Sequence, residues 1–365
     1  MRISPKSAFA LASVLTLSLA ACAGDEGDVT GDNADDETVG TEDDGTEDNG
    51  AAEDAEADDS DDAAAEAEIT SVDELVIGLV PSQDQEGIVE DAEGVAEELS
   101  EALGGFPVDI FVADNYLGVI QGMQTGDVQL VMSGPVGMIQ AEDEADGTPI
   151  LQALRYGEEV YVTQWFTNDP DTYCEDDPVA DEEGFLFCNG IYDDQAGEFA
   201  EYGPMGEESL ANIPDGTTVS FVDEGSASGY YFPQTQLNEL GIEVDGQFAG
   251  GHDQSVLNVY NGQIDLGTSF DDARNNVLDE NPDVGEEVVV FAWAGPIPND
   301  GIVASSDLTE DEQQIIVDAF LSYSSEGDLS DGDPLYETYE IEGLVEADED
   351  ALDVARQVYN NFGAE

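Results

Sequence analysis

Positive charge is nearly missing from this chain, in which five Lys and Arg stand against 88 Asp and Glu, with a single His. A formal net charge of -83 repels nucleic-acid phosphates and anionic lipid headgroups, so nucleic acid is excluded as a partner. Cysteine is scarce too, with three in 365 residues. Two thiols with no His between them, Cys174 and Cys188, lack the further ligands that zinc needs, and no metal is expected. No Walker-type loop is present, and the small-residue turn Gly225-Ser226-Ala227-Ser228-Gly229 has Ala227 where a nucleophile elbow requires serine. The chain is therefore not expected to be an enzyme or to carry a cofactor. It also lacks a long apolar run, because Ala8 to Ala20 is too short to be a permanent membrane span.

What is there begins with an address. Arg2 and Lys6 precede the apolar stretch Ala8 to Ala20, and Leu19-Ala20-Ala21-Cys22 closes it, so residues 1–22 form a signal peptide. Leu-Ala-Ala-Cys at this place resembles a bacterial lipobox, which implies lipidation of Cys22 and tethering to the outer face of the cytoplasmic membrane. Residues 23–70 follow as an acidic spacer, with 21 of the acids between Ala23 and Glu68. It has too little apolar surface to offset the entropy of ordering, so a disordered linker is expected. The remaining acids are spread over the folded part, the composition of a protein adapted to high salt. In an oxidising compartment Cys174 and Cys188 are expected to pair, a bridge worth roughly 3 kcal/mol in the chain-entropy model.

From Leu75 onward the hydrophobic pattern alternates between strand and helix. Leu75 to Val80 is a buried strand. Ile88, Ala92, Val95, Ala96, Leu99 and Leu103 recur at helical spacing until Gly104-Gly105. Val108 to Val112, a helix opened by Asp114-Asn115-Tyr116, and Val128 to Met132 continue the series. The third strand ends in Ser133-Gly134-Pro135, with proline suited to a first helical position. Tyr161 to Thr167 leaves the first lobe, the pattern restarts at Thr217, and Val288 to Trp293 returns. Thr309 to Glu312 is a capping box, and Leu352, Ala355, Tyr359 and Phe362 mark a last amphipathic helix. The fold class is α/β: a two-lobed clamshell, each lobe a mainly parallel sheet flanked by helices. Lobe 1 is 71–163 with 290–365, and lobe 2 is 164–289.

Between the strand Thr217 to Val222 and Tyr230, the Gly225–Gly229 turn opens a helix whose first N–H groups have no intrahelical partner. Backbone amides with Ser226 and Ser228 beside them make an anion seat without a cation. His252, preceded by Gly250-Gly251, stands at a second strand-to-helix turn, where as imidazolium it supplies the positive charge of the site. Arg155 and Arg274 are expected to form structural ion pairs, Arg155 near Glu158 and Glu159 and Arg274 with Asp271 one turn before it. A ligand-binding site is therefore expected between two lobes.

Asp114 to Met123, the serine turn, Gly251-His252 with Asn258, and Gly295-Pro296-Ile297-Pro298-Asn299-Asp300 together resemble the phosphonate- and phosphite-binding lipoproteins of ABC importers. The resemblance covers most of residues 74–325. It implies a type II periplasmic-binding-protein fold that closes on phosphonate, phosphite or phosphate and delivers it to an ABC permease driven by its ATPase. A ligand-sensing module of a membrane receptor, or a binder of another small oxyanion, is the alternative. The family's oxyanion cradle, a Ser-Thr-Ser run, corresponds to Ser226-Ala227-Ser228, with the middle hydroxyl gone. Its cleft histidine corresponds to His252 and its first-lobe tyrosine to Tyr116. A second family aromatic aligns near Ser133, where this chain has no ring. Two carboxylates that in some members meet a ligand ammonium are similar to Asp272 and Asp300; if both line the cleft, an aminoalkylphosphonate is favoured.

Overall fold

An apolar run without polar alternation needs cover on both faces, and Leu75-Val76-Ile77-Gly78-Leu79 is β1 (Leu75–Leu79), an inner strand paired with two parallel neighbours in a sheet flanked by helices. The computed structural model describes residues 68–82, 85–181, 183–191, 204–325 and 327–362. The signal peptide, Cys22 and nearly all of the acidic spacer lie outside the described residues. After β1 come α1 (Gln85–Ala102), β2 (Val108–Val112), α2 (Tyr116–Thr125), β3 (Leu130–Ser133), α3 (Pro135–Ala145) and β4 (Thr148–Leu154). The Asn115 side chain accepts from the Gly118 N–H to start α2, and Gly126 ends it in the left-handed conformation. Pro135 is the first residue of α3, as its sequence position suggests.

The second sheet takes β5 (Val160–Thr167), β6 (Val179–Ala180), β7 (Leu186–Phe187), β8 (Thr218–Phe221), β9 (Asp245–Phe248), β10 (Leu266–Phe270) and β11 (Val289–Pro298). Between β8 and β9 lies α4 (Phe232–Leu240), and between β9 and β10 lies α5 (His252–Tyr260). The chain then returns to the first sheet with β12 (Gly301–Ala304), α6 (Glu310–Ser324), α7 (Pro334–Tyr339), β13 (Gly343–Glu346) and α8 (Asp353–Phe362). Strand order is β13-β4-β12-β3-β1-β2 in the first sheet and β6-β7-β11-β5-β10-β8-β9 in the second.

Two expectations are adjusted. The sheets are mixed rather than mainly parallel: β1 pairs parallel with β2 and β3, but β12 pairs antiparallel with β3 and β4, and β13 with β4. In the second sheet β5 runs antiparallel to both β10 and β11. The strands that enter each sheet from the other, β5 and β12, run antiparallel to both neighbours, as β13 does to β4 and β6 to β7. Both β5 and β11 also pair along their length within the second sheet, so the passages between sheets fall at 155–159 and 299–300, a few residues from the expected 163 and 290. Asn299 fastens these passages together: its side chain donates to the Ala153 and Glu158 carbonyls, and its N–H to the Glu159 carbonyl.

Burial follows the strand period. In β11 and the residue before it, Val288, Val290 and Trp293 belong to one cluster, and Val289, Phe291 and Ala292 to another. A further cluster gathers Val136 and Ile139 of α3, Tyr231 and Phe232 beyond the serine turn, and Ala355 and Val358 of α8. The last helix thus packs against parts of both halves. Cys174 and Cys188 are joined by a disulfide, as expected for an exported chain.

Candidate functional site

The serine turn is wound more loosely than an α-helix. Ala227–Tyr231 is a π-helical turn, and both the Tyr230 and Tyr231 N–H groups bond to the Ser226 carbonyl. The Ser226 hydroxyl accepts from the Gly229 N–H at 3.0 Å, a capping bond that leaves the Ala227 and Ser228 amides at the open end of the helix. Gly225 is required here, because a Cβ on it would stand 2.6 Å from the Tyr116 Cβ. The turn therefore lies directly against α2 of the first sheet.

Several other contacts hold the two halves together. The His252 N–H, at the start of α5, donates to the Ser82 carbonyl at 3.0 Å. Its Nε2 is 3.4 Å from the Tyr116 hydroxyl, while Nδ1 is 2.7 Å from the Ser269 hydroxyl, and its ring packs on Phe270. Between the halves a cavity of about 60 Å³ remains. Tyr116, Ser226, Ala227, Ser228, His252 and Asp300 all line it, and Gly134 brings in the start of α3. Two helix starts thus meet across one cavity, an arrangement suited to an anion.

Ser133 and Asp272 are not brought to the cavity. Ser133 is 2% exposed, its hydroxyl has no hydrogen-bond partner, and its neighbour Gly134 holds the wall position instead. Asp272 accepts from Nε and Nη2 of Arg274. That guanidinium is sandwiched between the Phe185 and Phe187 rings and also donates to the Leu186 and Val288 carbonyls. Arg274 is indeed a structural ion pair, although with Asp272 rather than Asp271, and the condition for an amine-binding carboxylate pair of Asp272 with Asp300 is not met.

The charge of the cavity also differs from expectation. Burial pulls the His252 imidazole down to about 3, with Asp300 opposing and Arg155 adding to that fall, so the ring is neutral. The cation is Arg155, whose Nη2 lies 2.8 Å from Asp300 Oδ2. It stands on the first passage between the sheets, and its Nε and Nη2 also donate to the carbonyl of Tyr339, the last residue of α7. An ion pair was expected of it near Glu158 and Glu159; the partner is Asp300 instead, and its place in the cavity wall was not expected.

Sequence reasoning missed other residues of the wall. Tyr161 hydrogen-bonds the Ser228 side chain and is held above the usual phenol range, mainly by burial. Tyr339 donates to the Val80 carbonyl, and the Ser82 hydroxyl lies beside that phenol without a hydrogen bond of normal geometry. Asp271 accepts from the Val162 N–H, and burial pushes its carboxyl up to about 7. Tyr156 and Glu340 complete the rim. The rarity of arginine was the one available signal for Arg155. Nothing local marks Tyr339, which reaches the site from a helix far along the chain. Among the described residues no group of three or more His, Cys, Asp or Glu is placed to hold a metal ion.

The chain matches the family model described as "ABC transporter, phosphonate, periplasmic substrate-binding protein" over residues 77–352. It is similar to the phosphate-import protein PhnD of Mycolicibacterium smegmatis, 24% identical over 249 residues that cover 64% of this chain and 66% of the relative. It is also similar to the phosphonates-binding periplasmic protein of Escherichia coli, 24% identical over 255 residues that cover 68% of this chain and 66% of the relative. The match thus spans slightly under two thirds of the length of these curated relatives. In fold it is similar to PhnD1 of Prochlorococcus marinus in complex with methylphosphonate, with TM-score 0.61, 19% identity, and coverage of 80% of this chain and 99% of that one. A binding protein component of an ABC phosphonate transporter from Pseudomonas aeruginosa gives TM-score 0.60 at 19% identity, covering 78% of this chain and 84% of that one. These structural likenesses place the architecture among two-lobed type II periplasmic binding proteins.

Proposed function

The chain belongs to the family of periplasmic substrate-binding proteins of phosphonate ABC transporters, and from that membership we propose that it captures a small phosphorus oxyanion for import. One observation carries the reading: Tyr116, Ala227, Ser228, a neutral His252 and Arg155 line one cavity between the sheets, with Ala227 and Ser228 at the open end of their helix. The helix starts at Gly134 and Ser226 supply partial positive charge to the anion. His252 sets Nδ1 on the Ser269 hydroxyl and Nε2 on the Tyr116 hydroxyl, so the neutral ring offers one donor and one acceptor to these two partners at the cavity wall. The loss of the middle hydroxyl at Ala227 leaves the amides to carry more of the contact.

The lobes pivot on the passages at 155–159 and 299–300, and the contacts of His252 with Ser82 and Tyr116 belong to the closed form. Closure presents the loaded protein to a permease and its ATPase. Export, lipidation at Cys22 and an acidic tether would keep the protein at the outer face of the cytoplasmic membrane, in a salty medium that screens its charge. The role is capture and delivery, without catalysis.

The test is titration calorimetry in high salt with methylphosphonate, phosphite, phosphate and sulfate. The expected result is binding of one of the three phosphorus oxyanions in preference to sulfate, weakened by Ser228→Ala and by His252→Ala. Equal affinity in all variants would remove these residues from the site.

A further inference from the structure

The cavity wall balances its charge through one ion pair. Of the described arginines, Arg274 is committed to Asp272 and two carbonyls, and Arg356 to Glu142. Arg155 is the one described arginine that lines the cavity, where it faces the carboxyl groups of Asp300, Asp271 and Glu340. Asp271 is engaged by the Val162 N–H, and burial raises its carboxyl to about 7. Burial also raises the Glu340 carboxyl, so both acids resist carrying full charge.

Asp300 is then the carboxylate a ligand meets, and its Oδ2 is taken by the Arg155 Nη2 at 2.8 Å. The guanidinium is itself held in place by the Tyr339 carbonyl through Nε and Nη2. None of these bonds uses Nη1. An arginine fixed in this way neutralises one acid and still has N–H groups to offer an oxyanion.

We propose that Arg155 is a specificity-determining residue: by holding Asp300 in an ion pair it withholds the carboxylate that a cationic substituent needs, and so selects small phosphorus oxyanions that carry no amine. The inference rests on the oxyanion reading above. The cavity volume of about 60 Å³ favours the same small ligands. A ligand ammonium would have to displace Arg155 from Asp300 and would stand beside the freed guanidinium, a like-charge contact.

The experiment uses ethylphosphonate and 2-aminoethylphosphonate, which differ by the amine, in calorimetry on the full chain in high salt. The wild type is expected to bind ethylphosphonate at least about tenfold more tightly, the size of one charge-assisted contact. Arg155→Gln should weaken ethylphosphonate and collapse or reverse that ratio, and Arg155→Lys should restore part of it. Asp300→Asn, which leaves Arg155 in place, should strengthen ethylphosphonate. A purely structural role for Arg155 would weaken both ligands by the same factor, and that outcome overturns the proposal, as does a wild type that prefers the amine. If the wild type binds neither these phosphonates nor methylphosphonate, phosphite or phosphate, the oxyanion reading fails and takes this inference with it. Binding with an unchanged ratio in Arg155→Gln removes the inference alone.

Discussion

The His252 Nε2 stands 3.4 Å from the Tyr116 hydroxyl, although Tyr116 starts a helix on the first sheet and His252 starts one packed on the second. Both groups are buried, so each requires a polar partner, and closure lets each satisfy the other. Tyr116→Phe is expected to weaken ligand binding by roughly tenfold, the loss of about one hydrogen bond to a charged group, and to cost about 1–3 kcal/mol of stability by leaving the buried His252 Nε2 without its partner. A melting curve and a titration on the same sample separate the two effects.

Asp271 and His252 give stability opposite slopes with pH. The His252 imidazole is lowered from 6.5 to about 3, so between these values the unfolded chain binds more protons, and this contribution is lost as pH falls through 6.5. The Asp271 carboxyl is raised from 3.8 to about 7, so the folded chain binds more protons, and its contribution is lost as pH rises from 3.8 towards 7. Thermal melts from pH 4 to 8 should show that Asp271→Asn gains stability relative to wild type towards the upper end. Parallel curves for the two proteins would contradict the assignment.

Glu312 ties Thr70 and Ser71, ahead of β1, to the start of α6. Its carboxylate accepts from the Thr70 N–H at 2.6 Å, the Ser71 N–H at 2.8 Å and the Thr309 N–H at 2.9 Å. Burial would raise this group, but the hydrogen bonds outweigh it and hold the carboxyl well below the usual range. Glu312→Gln keeps the shape and loses the charge, and should cost about 1–3 kcal/mol in denaturant unfolding. The deficit should shrink progressively as pH falls below the ordinary carboxyl value of 4.5, because the unfolded chain then binds a proton that the folded carboxylate does not.

Arg274 is 1% exposed and paired with Asp272. Arg274→Ala strands a carboxylate and opens the space between Phe185 and Phe187, a loss of about 3–5 kcal/mol. Asp272→Asn is expected to lower stability while leaving phosphonate affinity unchanged, because the side chain does not reach the cavity. A change in affinity at constant stability would return Asp272 to the site.

Strand and helix order was legible because each buried element carries its own period. Leu75 to Leu79, the α2 cap at Asn115, Pro135 and the Thr309–Glu312 capping box are local signals that the structure reproduces. The antiparallel strands β4, β12 and β13 left no such mark, since the pairing of β4 with β13 is set by residues far apart in the chain. The serine turn and His252 were visible as strand-to-helix turns. Asp272 was placed one position from the residue that lines the cavity, Asp271, because neighbouring residues on a turn point in different directions and sequence does not say which faces inward.

By itself the sequence determined the acidic composition, the α/β pattern and the amide-rich turn, all properties of short stretches or of composition. Tertiary structure decided which arginine enters the cavity, that the histidine there is uncharged, and which carboxylate is neutralised by its neighbour. Those outcomes depend on desolvation and on contacts between residues more than a hundred positions apart, such as Arg155 with Asp300.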